Sequence, residues 1–362
     1  MSKSIFLIAD VHFSKTKLKD SFVKPIEEFI RFLTSRALEG GKFDVVIAGD
    51  YFDTQLSVAD EVYSLATKYL KIISELSDAL YIVYGTTSHD RENYDPLIPL
   101  FPSNVHFIKT MTNIKLDPAG LYSPNCLNTL FLPEEYPENW QEYYSDALNG
   151  DTTYDLIVGH GMILGASMND TIKIDNRMLG DKGFKTSVFD KIAKQTFFGH
   201  IHQQQNLSDN VRYIGSMNKT GFGDESDKGF FELIVSHHLN LENSPKTVVF
   251  HKLNDVLDFK TVVFHDSLDT ADLDPKLTRV LVSNDVSEND TDSLKKLGFF
   301  LKKESDTAKL NRENKKLNDL KFESFNQDIP LKTMLCEVID NDKNISNKLK
   351  QSIYSELDLH QF

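Results

Sequence analysis

Apolar residues in the first part of the chain fall into two periods. Ile5–Ile8, Val45–Ala48 and Tyr81–Tyr84 are short, nearly continuous apolar runs of strand length. Between them, residues 59–77 place Val62, Leu65, Ala66, Tyr69, Leu70 and Ile73 on one face at a spacing of 3.6, which reads as a core-facing helix. The pattern predicts a strand near 4–9, a helix near 20–38, a strand near 44–48, a helix near 59–77 and a strand near 80–84. From about residue 105 the pattern turns β-rich, with one further helix near 137–148. An α/β fold, a two-layered mixed β-sandwich flanked by helices, accounts for this order. Thr247–Phe250, Thr261–Phe264 and Val280–Val282 are three more strand-like runs. They suggest a main domain over 1–238, a small α/β capping domain over 239–300, and a basic linker with a helical tail over 301–362. In the tail, Pro330 can open a helix at its first turn. Leu331, Met334, Leu335, Val338 and Ile339 then form one apolar stripe, and Ile345, Leu349, Ile353 and Leu357 a second. Short amphipathic helices of this kind need a surface to pack on, either their own domain or a partner.

The strand-like runs share a second property: each leads to residues that can ligate a metal. Asp10-Val-His12 follows Ile5–Ile8, Gly49-Asp50 follows Val45–Ala48, and His89-Asp90 lies in the loop after Tyr81–Tyr84. Gly159-His160 follows Leu156–Val158, and Gly199-His200-Ile201-His202 follows Thr196–Phe198. Any one fragment occurs by chance in many chains. Five in order, each after its own strand, read as one site assembled on the rim of a sheet, where open α/β folds bind ligands. Imidazoles and carboxylates together suit Mn, Fe or Zn. A carboxylate such as Asp50 can bridge two such ions. A pair of ions generates hydroxide near neutral pH and clamps both oxygens of a phosphoryl displacement.

The order DxH, GD, HD, GH, GHxH resembles the calcineurin-like metallophosphoesterases over roughly residues 1–235. By that resemblance Asp10, His12, Asp50 and His202 would hold one metal, and Asp50, His160 and His200 the other, with Asp50 shared. The resemblance makes His89 the catalytic histidine beside the scissile phosphate and Asp90 the group that orients its ring. It implies two divalent ions, most readily Mn2+, with Mg2+ or Fe2+ as alternatives. One position departs from the pattern. Where the family reads Gly-Asn-His-Asp, with the Asn as a metal ligand, this chain reads Gly85-Thr-Thr-Ser-His-Asp90. Ser88 stands at the Asn position, a poor substitute, so water or a backbone carbonyl is expected to complete the shell.

The run Val211-Arg-Tyr-Ile-Gly-Ser-Met-Asn-Lys-Thr-Gly-Phe-Gly-Asp-Glu-Ser-Asp-Lys-Gly-Phe-Phe231 resembles the segment after GHxH in SbcD-type DNA repair exonucleases. Gly49-Asp-Tyr-Phe-Asp53 also resembles their Gly-Asp-Leu/Ile-Phe-Asp. The resemblance implies a metal-dependent nuclease on DNA ends, working in repair, recombination or replication. Its implied partners are an SbcC-type coiled-coil ATPase, bound through the C-terminal helices, and a second copy of the chain. A plainer account is that Gly215, Gly221, Gly223 and Gly229 are turn glycines between strands.

Composition modifies this picture in three ways. A chain of 362 residues with 40% hydrophobic content can form one large domain and a smaller one. Two cysteines, Cys126 and Cys336, are too few for a disulfide framework and fit a reducing, cytoplasmic setting. The N-terminal apolar run is too short for a signal peptide, and no run of about 18 apolar residues points to a membrane span. The net charge of −14 is unusual for a DNA enzyme. Residues 295–321 run against it, with nine Lys/Arg and four acids; that stretch could face DNA or be the solvated face of a helix. Two other readings therefore stay open: a phosphatase or small-molecule phosphodiesterase on the same site, and a non-catalytic adaptor with a weakened metal site.

Several residues outside the motif series have simpler expectations. His106, His251 and His237-His238 read as structural or surface histidines. Tyr51 and Phe52 should shape the pocket wall, and Asp53 should hydrogen-bond within its own loop. Asn169, Asp170 and Arg177 follow His160 without a spacing that compels a role.

Overall fold

The first apolar run becomes β1 (Lys3–Ile8), followed by α1 (Lys19–Leu38), β2 (Phe43–Ala48), α2 (Glu61–Leu76) and β3 (Ala79–Val83). β1 pairs parallel with β2, and β2 with β3. After the short helix α3 (Arg91–Tyr94), β4 (Val105–Ile108) extends the parallel run beside β3. In this computed structural model the described residues are 3–303, apart from 117–125, 136, 169–172, 176, 178–182, 223, 225, 236–246, 265–267, 269 and 284–285. The tail stripes at 331–357 and His237-His238 lie outside them, as do Asn169, Asp170 and most of the basic stretch.

A second sheet takes β5 (Thr112–Leu116), β6 (Leu127–Leu132), β7 (Leu156–His160), β8 (Thr196–Gly199), β9 (Gln205–Asn206) and β10 (Val211–Tyr213), in the order β5-β6-β7-β8-β10-β9. Within it, β6, β7 and β8 run parallel. The helices α4 (Trp140–Leu148) and α5 (Thr186–Ile192) interrupt the strand series. The chain then returns to the first sheet with β11 (Gly229–Val235) and β12 (Thr247–Lys252), both antiparallel, giving the order β12-β11-β1-β2-β3-β4.

Burial explains the continuous apolar runs. Side chains alternate across a strand, so Ile5 and Leu7 face one way and Phe6 and Ile8 the other. Ile5, Leu7, Val46, Ala48 and Val83 join Phe131, Leu156, Val158 and Phe197 in the core between the two sheets. Phe6, Ile8, Val45, Ile47 and Ile82 meet Phe22, Ile26, Phe29 and Leu33 of α1 and Ala66, Leu70 and Ile73 of α2. On the outer face of the second sheet, Leu130, Ile157 and Phe198 pack with Tyr144 and Phe189 of α4 and α5. A strand buried on both faces has no polar side to display, which is why β1, β2 and β7 read as unbroken apolar runs. The α/β sandwich flanked by helices expected from the sequence is the fold observed.

Thr247–Phe250, grouped by its pattern with the capping domain, is instead part of the edge strand β12 of the first sheet. The other two runs form a separate three-stranded sheet, β13 (Lys260–Phe264), β14 (Thr278–Val282) and β15 (Phe300–Lys303), with α6 (Glu288–Lys296) between β14 and β15 in sequence. The chain divides into two compact units. Among the described residues, the larger falls within 3–262, 270–279 and 297–300, and the smaller within 263–268, 280–296 and 301–303. No helix among the described residues is long and apolar enough to cross a membrane.

Candidate metal centre

Parallel strands put their C-terminal ends on one rim, and the motif residues stand there. Asp10 and His12 follow β1, Asp50 follows β2, His89 and Asp90 lie beyond β3, His160 ends β7, and His200 and His202 follow β8. The β1 and β2 loops stay tied beyond their strands: the N–H groups of Asp10, His12 and Phe13 donate to the carbonyls of Gly49, Asp50 and Tyr51 at 3.1, 3.1 and 2.9 Å. Two glycines let the rims of the two sheets meet. A Cβ on Gly49 would stand 2.1 Å from His160 Nδ1, and one on Gly199 would stand 2.1 Å from the Ala48 carbonyl oxygen. Neither space admits a side chain, so these motif glycines are required by the approach of backbone to imidazole.

The backbone at the rim is strained. Among the described residues, the non-glycine residues with positive φ are Asp10 (51°), His12 (59°), Asp50 (47°) and His200 (91°). All four are candidate ligands. A left-handed non-glycine residue costs of order 1–3 kcal/mol, a cost met by the surrounding packing and typical of sites where it aims a side chain. Here the packing is aromatic. Phe13, Tyr51 and Phe52 are fully buried, and Tyr51 Oη donates to the Ala66 carbonyl at 2.9 Å. Tyr51 and Phe52 therefore anchor the Asp50 loop in the core against α2, and do not line a pocket wall as expected from their neighbours.

The ligand atoms gather into three overlapping groups, each spanning no more than 4.8 Å: Asp10, His12 and His202; His12, Asp50 and His89; and Asp50, His160 and His200. His12 Nε2 and His202 Nε2 face each other at 2.9 Å, with Asp10 Oδ1 3.8 Å from each. His160 Nε2 lies 3.3 Å from Asp50 Oδ2. His160 Nδ1–H donates to the Ala48 carbonyl at 2.8 Å, which fixes the ring and turns Nε2 toward the carboxylates. His12 Nδ1, His160 Nε2 and His200 Nδ1 are buried without a hydrogen-bond partner. Buried polar atoms are rarely left so. The donor set fits divalent cations: two ligands bound at about 2.1 Å to one ion lie roughly 3.0 Å apart in octahedral and 3.4 Å in tetrahedral geometry.

The electrostatics of the metal-free chain lead to the same conclusion. Burial pushes Asp50 upward, but the charge and hydrogen bonds of His160 and His89 outweigh it and hold its carboxyl well below the ordinary range. Burial raises Asp10, the His160 charge opposes this, and the Asp50 charge adds to it. Burial alone would lower His160, yet the carboxylates of Asp50, Asp10 and Glu134 hold it well above an ordinary imidazole. The pocket therefore favours positive charge.

Two assignments change with the structure. Asp90 does not orient the His89 ring. Its carboxylate accepts the backbone N–H groups of Asp50 and Gly85 on Oδ2, both at 2.8 Å, and that of Phe52 on Oδ1 at 3.2 Å. Asp90 thus fastens the β2 loop to the β3 loop, while His89 Nδ1 meets Asp50 Oδ2 at 2.9 Å. Ser88, at the sequence position of the missing Asn and expected to be a poor substitute, is exposed. Thr86 points inward in its place, its N–H donating to Asp50 Oδ1 at 2.6 Å and its hydroxyl lying 3.1 Å from Asp50 Oδ2. Asp53 reaches beyond its own loop to Lys17 Nζ (2.5 Å) and His12 Nδ1 (3.4 Å).

The segment after β8 supports the rim. Asn218 Nδ2 donates to the Val11 carbonyl at 2.9 Å, and the buried Lys228 Nζ donates to the His202 carbonyl at 2.8 Å and pairs with Asp224 at 2.8 Å. Gly215 has φ +81°, and a Cβ there would lie 2.8 Å from Gln204 N. This stretch is therefore more than a set of turns: it holds the loops of Asp10, His12 and His202 in place. Two further histidines among the described residues have structural places. His106 stacks on Tyr81 with centroids 4.8 Å apart, and His251 Nε2 pairs with Glu232 at 2.8 Å. Arg177 is exposed and bonds to Asp175.

Sequence reasoning missed Glu134. It lies two residues beyond β6, buried, with Oε2 3.2 Å from His200 Nδ1. The same rule that exposed the other ligands, an apolar strand followed by a ligating residue, fits Thr129-Leu-Phe-Leu132-Pro-Glu134. The intervening proline and the absence of this position from the motif series hid it.

The model of one protein family, described as calcineurin-like phosphoesterase, matches residues 3–204, more than half of the 362-residue chain. All the candidate ligand fragments fall inside that span. No curated protein gives a significant match.

Proposed function

This chain belongs to the calcineurin-like phosphoesterases, a metal-dependent family of phosphoester hydrolases, and from that premise we propose that it is a two-metal nuclease acting on DNA. The observation that carries the reading is the overlap of ligand groups on Asp50, which lies within ligand distance of His12 and His89 on one side and His160 and His200 on the other. In this reading Asp10, His12, Asp50 and His202 hold one divalent ion and Asp50, His160 and His200 the second. Bound there, a pair of Mn2+, Fe2+ or Mg2+ ions supplies hydroxide and charge stabilisation at a phosphodiester; the imidazole-rich set favours Mn2+ or Fe2+.

The chain's own residues do the rest. His89 is half-buried at the edge of the group, and its hydrogen bond to Asp50 raises its pKa against the effect of burial. A protonated imidazole in that place can hold a proton for the departing sugar oxygen. Asp90 keeps the loop of His89 in register with that of Asp50. The buried Phe13, Tyr51 and Phe52 hold the loops of His12 and Asp50 against the core.

DNA as the substrate, within repair, recombination or replication, is supported by the likeness of Val211–Phe231 to SbcD-type exonucleases. The same likeness supports a homodimer and an SbcC-type ATPase partner gripping the stripes at 331–357. Deleting 330–362 should then abolish ATPase association and spare cutting of simple substrates; a complex that survives the deletion refutes the tail's role. A second reading, a small-molecule phosphodiesterase or phosphatase, is favoured by the net charge of −14, which repels a polyanion. End-labelled linear DNA with Mn2+, beside bis-(p-nitrophenyl) phosphate and Asp50→Ala, separates the two. DNA degradation that vanishes in the variant supports the nuclease. Hydrolysis of the small diester alone, with the ATPase present, supports the second reading.

A further inference from the structure

Glu134 occupies a place at the rim that the motif series leaves open. Its backbone N–H donates to the Tyr84 carbonyl at 3.1 Å, which sets it beside Gly85 and Thr86. Its side chain is only 5% exposed. Oε2 lies 3.2 Å from His200 Nδ1 and 3.5 Å from His160 Nε2. Neither of those nitrogens has a hydrogen-bond partner. The Thr86 hydroxyl lies 3.1 Å from both Glu134 Oε2 and Asp50 Oδ2. A hydroxyl has one proton to give, so it donates to one of these carboxylates at a time. Two buried carboxylates and two imidazole nitrogens therefore converge on one small volume. Such burial is costly unless the charges are shared with a cation. The spacings match ligands on a common ion, roughly 3.0–3.4 Å for bonds of about 2.1 Å.

We propose that Glu134 is an oxygen ligand of the ion held by Asp50, His160 and His200, and that it fills the coordination position for which the Gly85–Asp90 loop supplies no asparagine. The inference rests on the two-metal reading above. It has chemical consequences. A carboxylate replaces a neutral amide, so Asp10, Asp50 and Glu134 bring three negative charges to the pair of ions. Hard oxygen donors strengthen the hold on Mn2+ or Mg2+ relative to softer metals. Thr86, between the two carboxylates, becomes a positioning residue for both.

Mn2+ titration of the full chain by calorimetry, with bound metal counted by elemental analysis, tests this. Wild type, Glu134→Ala and Glu134→Gln are compared, and each is melted with and without Mn2+. The wild type should bind two ions. Glu134→Ala should weaken one of them by about tenfold or more, while Glu134→Gln, which keeps an amide oxygen, should lose less. Removing a carboxylate from a crowded anionic pocket should leave the metal-free melting temperature unchanged or higher, and the rise produced by Mn2+ should shrink. Two ions bound by Glu134→Ala at wild-type affinity would overturn the inference and leave the two-metal reading standing. A lower metal-free melting temperature with unchanged Mn2+ affinity would overturn it too, making Glu134 a structural partner of Thr86 and His200. Fewer than two ions on the wild type would defeat the two-metal reading itself, and the inference with it.

Discussion

The two proposed ion positions on the rim are built by different means. At the first, Asp10 and His12 come from one loop and His202 from another, and all three appear as sequence motifs. Their loops are held by backbone ladders to Gly49 and Asp50 and by Asn218 and Lys228. At the second, His160 and His200 are equally legible, but the third side of the pocket is not. There the Gly85–Asp90 loop turns Ser88 outward, and the inward-facing groups are Thr86 and, from a different strand of the other sheet, Glu134. A ligand carried by a motif can be read by spacing. Glu134, outside the motif series, is singled out by its place beside His160 and His200.

Substitutions can break or sharpen this contrast. The largest effect belongs to the residue both positions share. Asp50→Ala should remove turnover by about 10³-fold or more and reduce metal binding at both positions; steady-state rates with a metal count check it, and two tightly bound ions in the variant would break the claim of a shared ligand. His89→Ala should cost about 10²–10⁴-fold in kcat, the range for a general acid, while Mn2+ titration stays within a few-fold of wild type. Loss of an ion would instead make His89 a ligand. Asp90→Ala leaves three N–H groups of the joined loops without their acceptor and should lower stability by about 3 kcal/mol, read by chemical denaturation without metal. Activity should fall less than in Asp50→Ala. The smallest effect is expected at Ser88: Ser88→Asn should change Mn2+ affinity less than about twofold, because the side chain is exposed and solvent-exposed substitutions usually change little. A clear gain there would restore the motif position and weaken the case for Glu134.

Much of the fold was legible because its strands are buried on both faces and its helices carry clean apolar stripes. β1, β2, β3, α1 and α2 stand within a few residues of their expected bounds. Thr247–Phe250 was misplaced because a strand's apolar run says nothing of which sheet it joins; only its register against β11 does. The ligand residues were legible as motifs, but their manner of support was not. The left-handed φ of Asp10, His12, Asp50 and His200 leaves no mark in residue type. The turn of Asp90 away from the imidazole and onto three backbone donors depends on how the β2 and β3 loops meet. The burial of Tyr51 and Phe52 against α2 was likewise hidden, since aromatic neighbours of a ligand can line a pocket or anchor its loop equally well.

The central claim is that one rim holds two divalent ions on either side of Asp50. Anomalous diffraction at the manganese edge, from crystals of the full chain grown with Mn2+, tests it most directly. The account predicts two peaks, one within bonding distance of Asp10, His12 and His202, the other of His160 and His200, with the Asp50 carboxylate touching both. A single peak, or two peaks of which Asp50 touches only one, would contradict it.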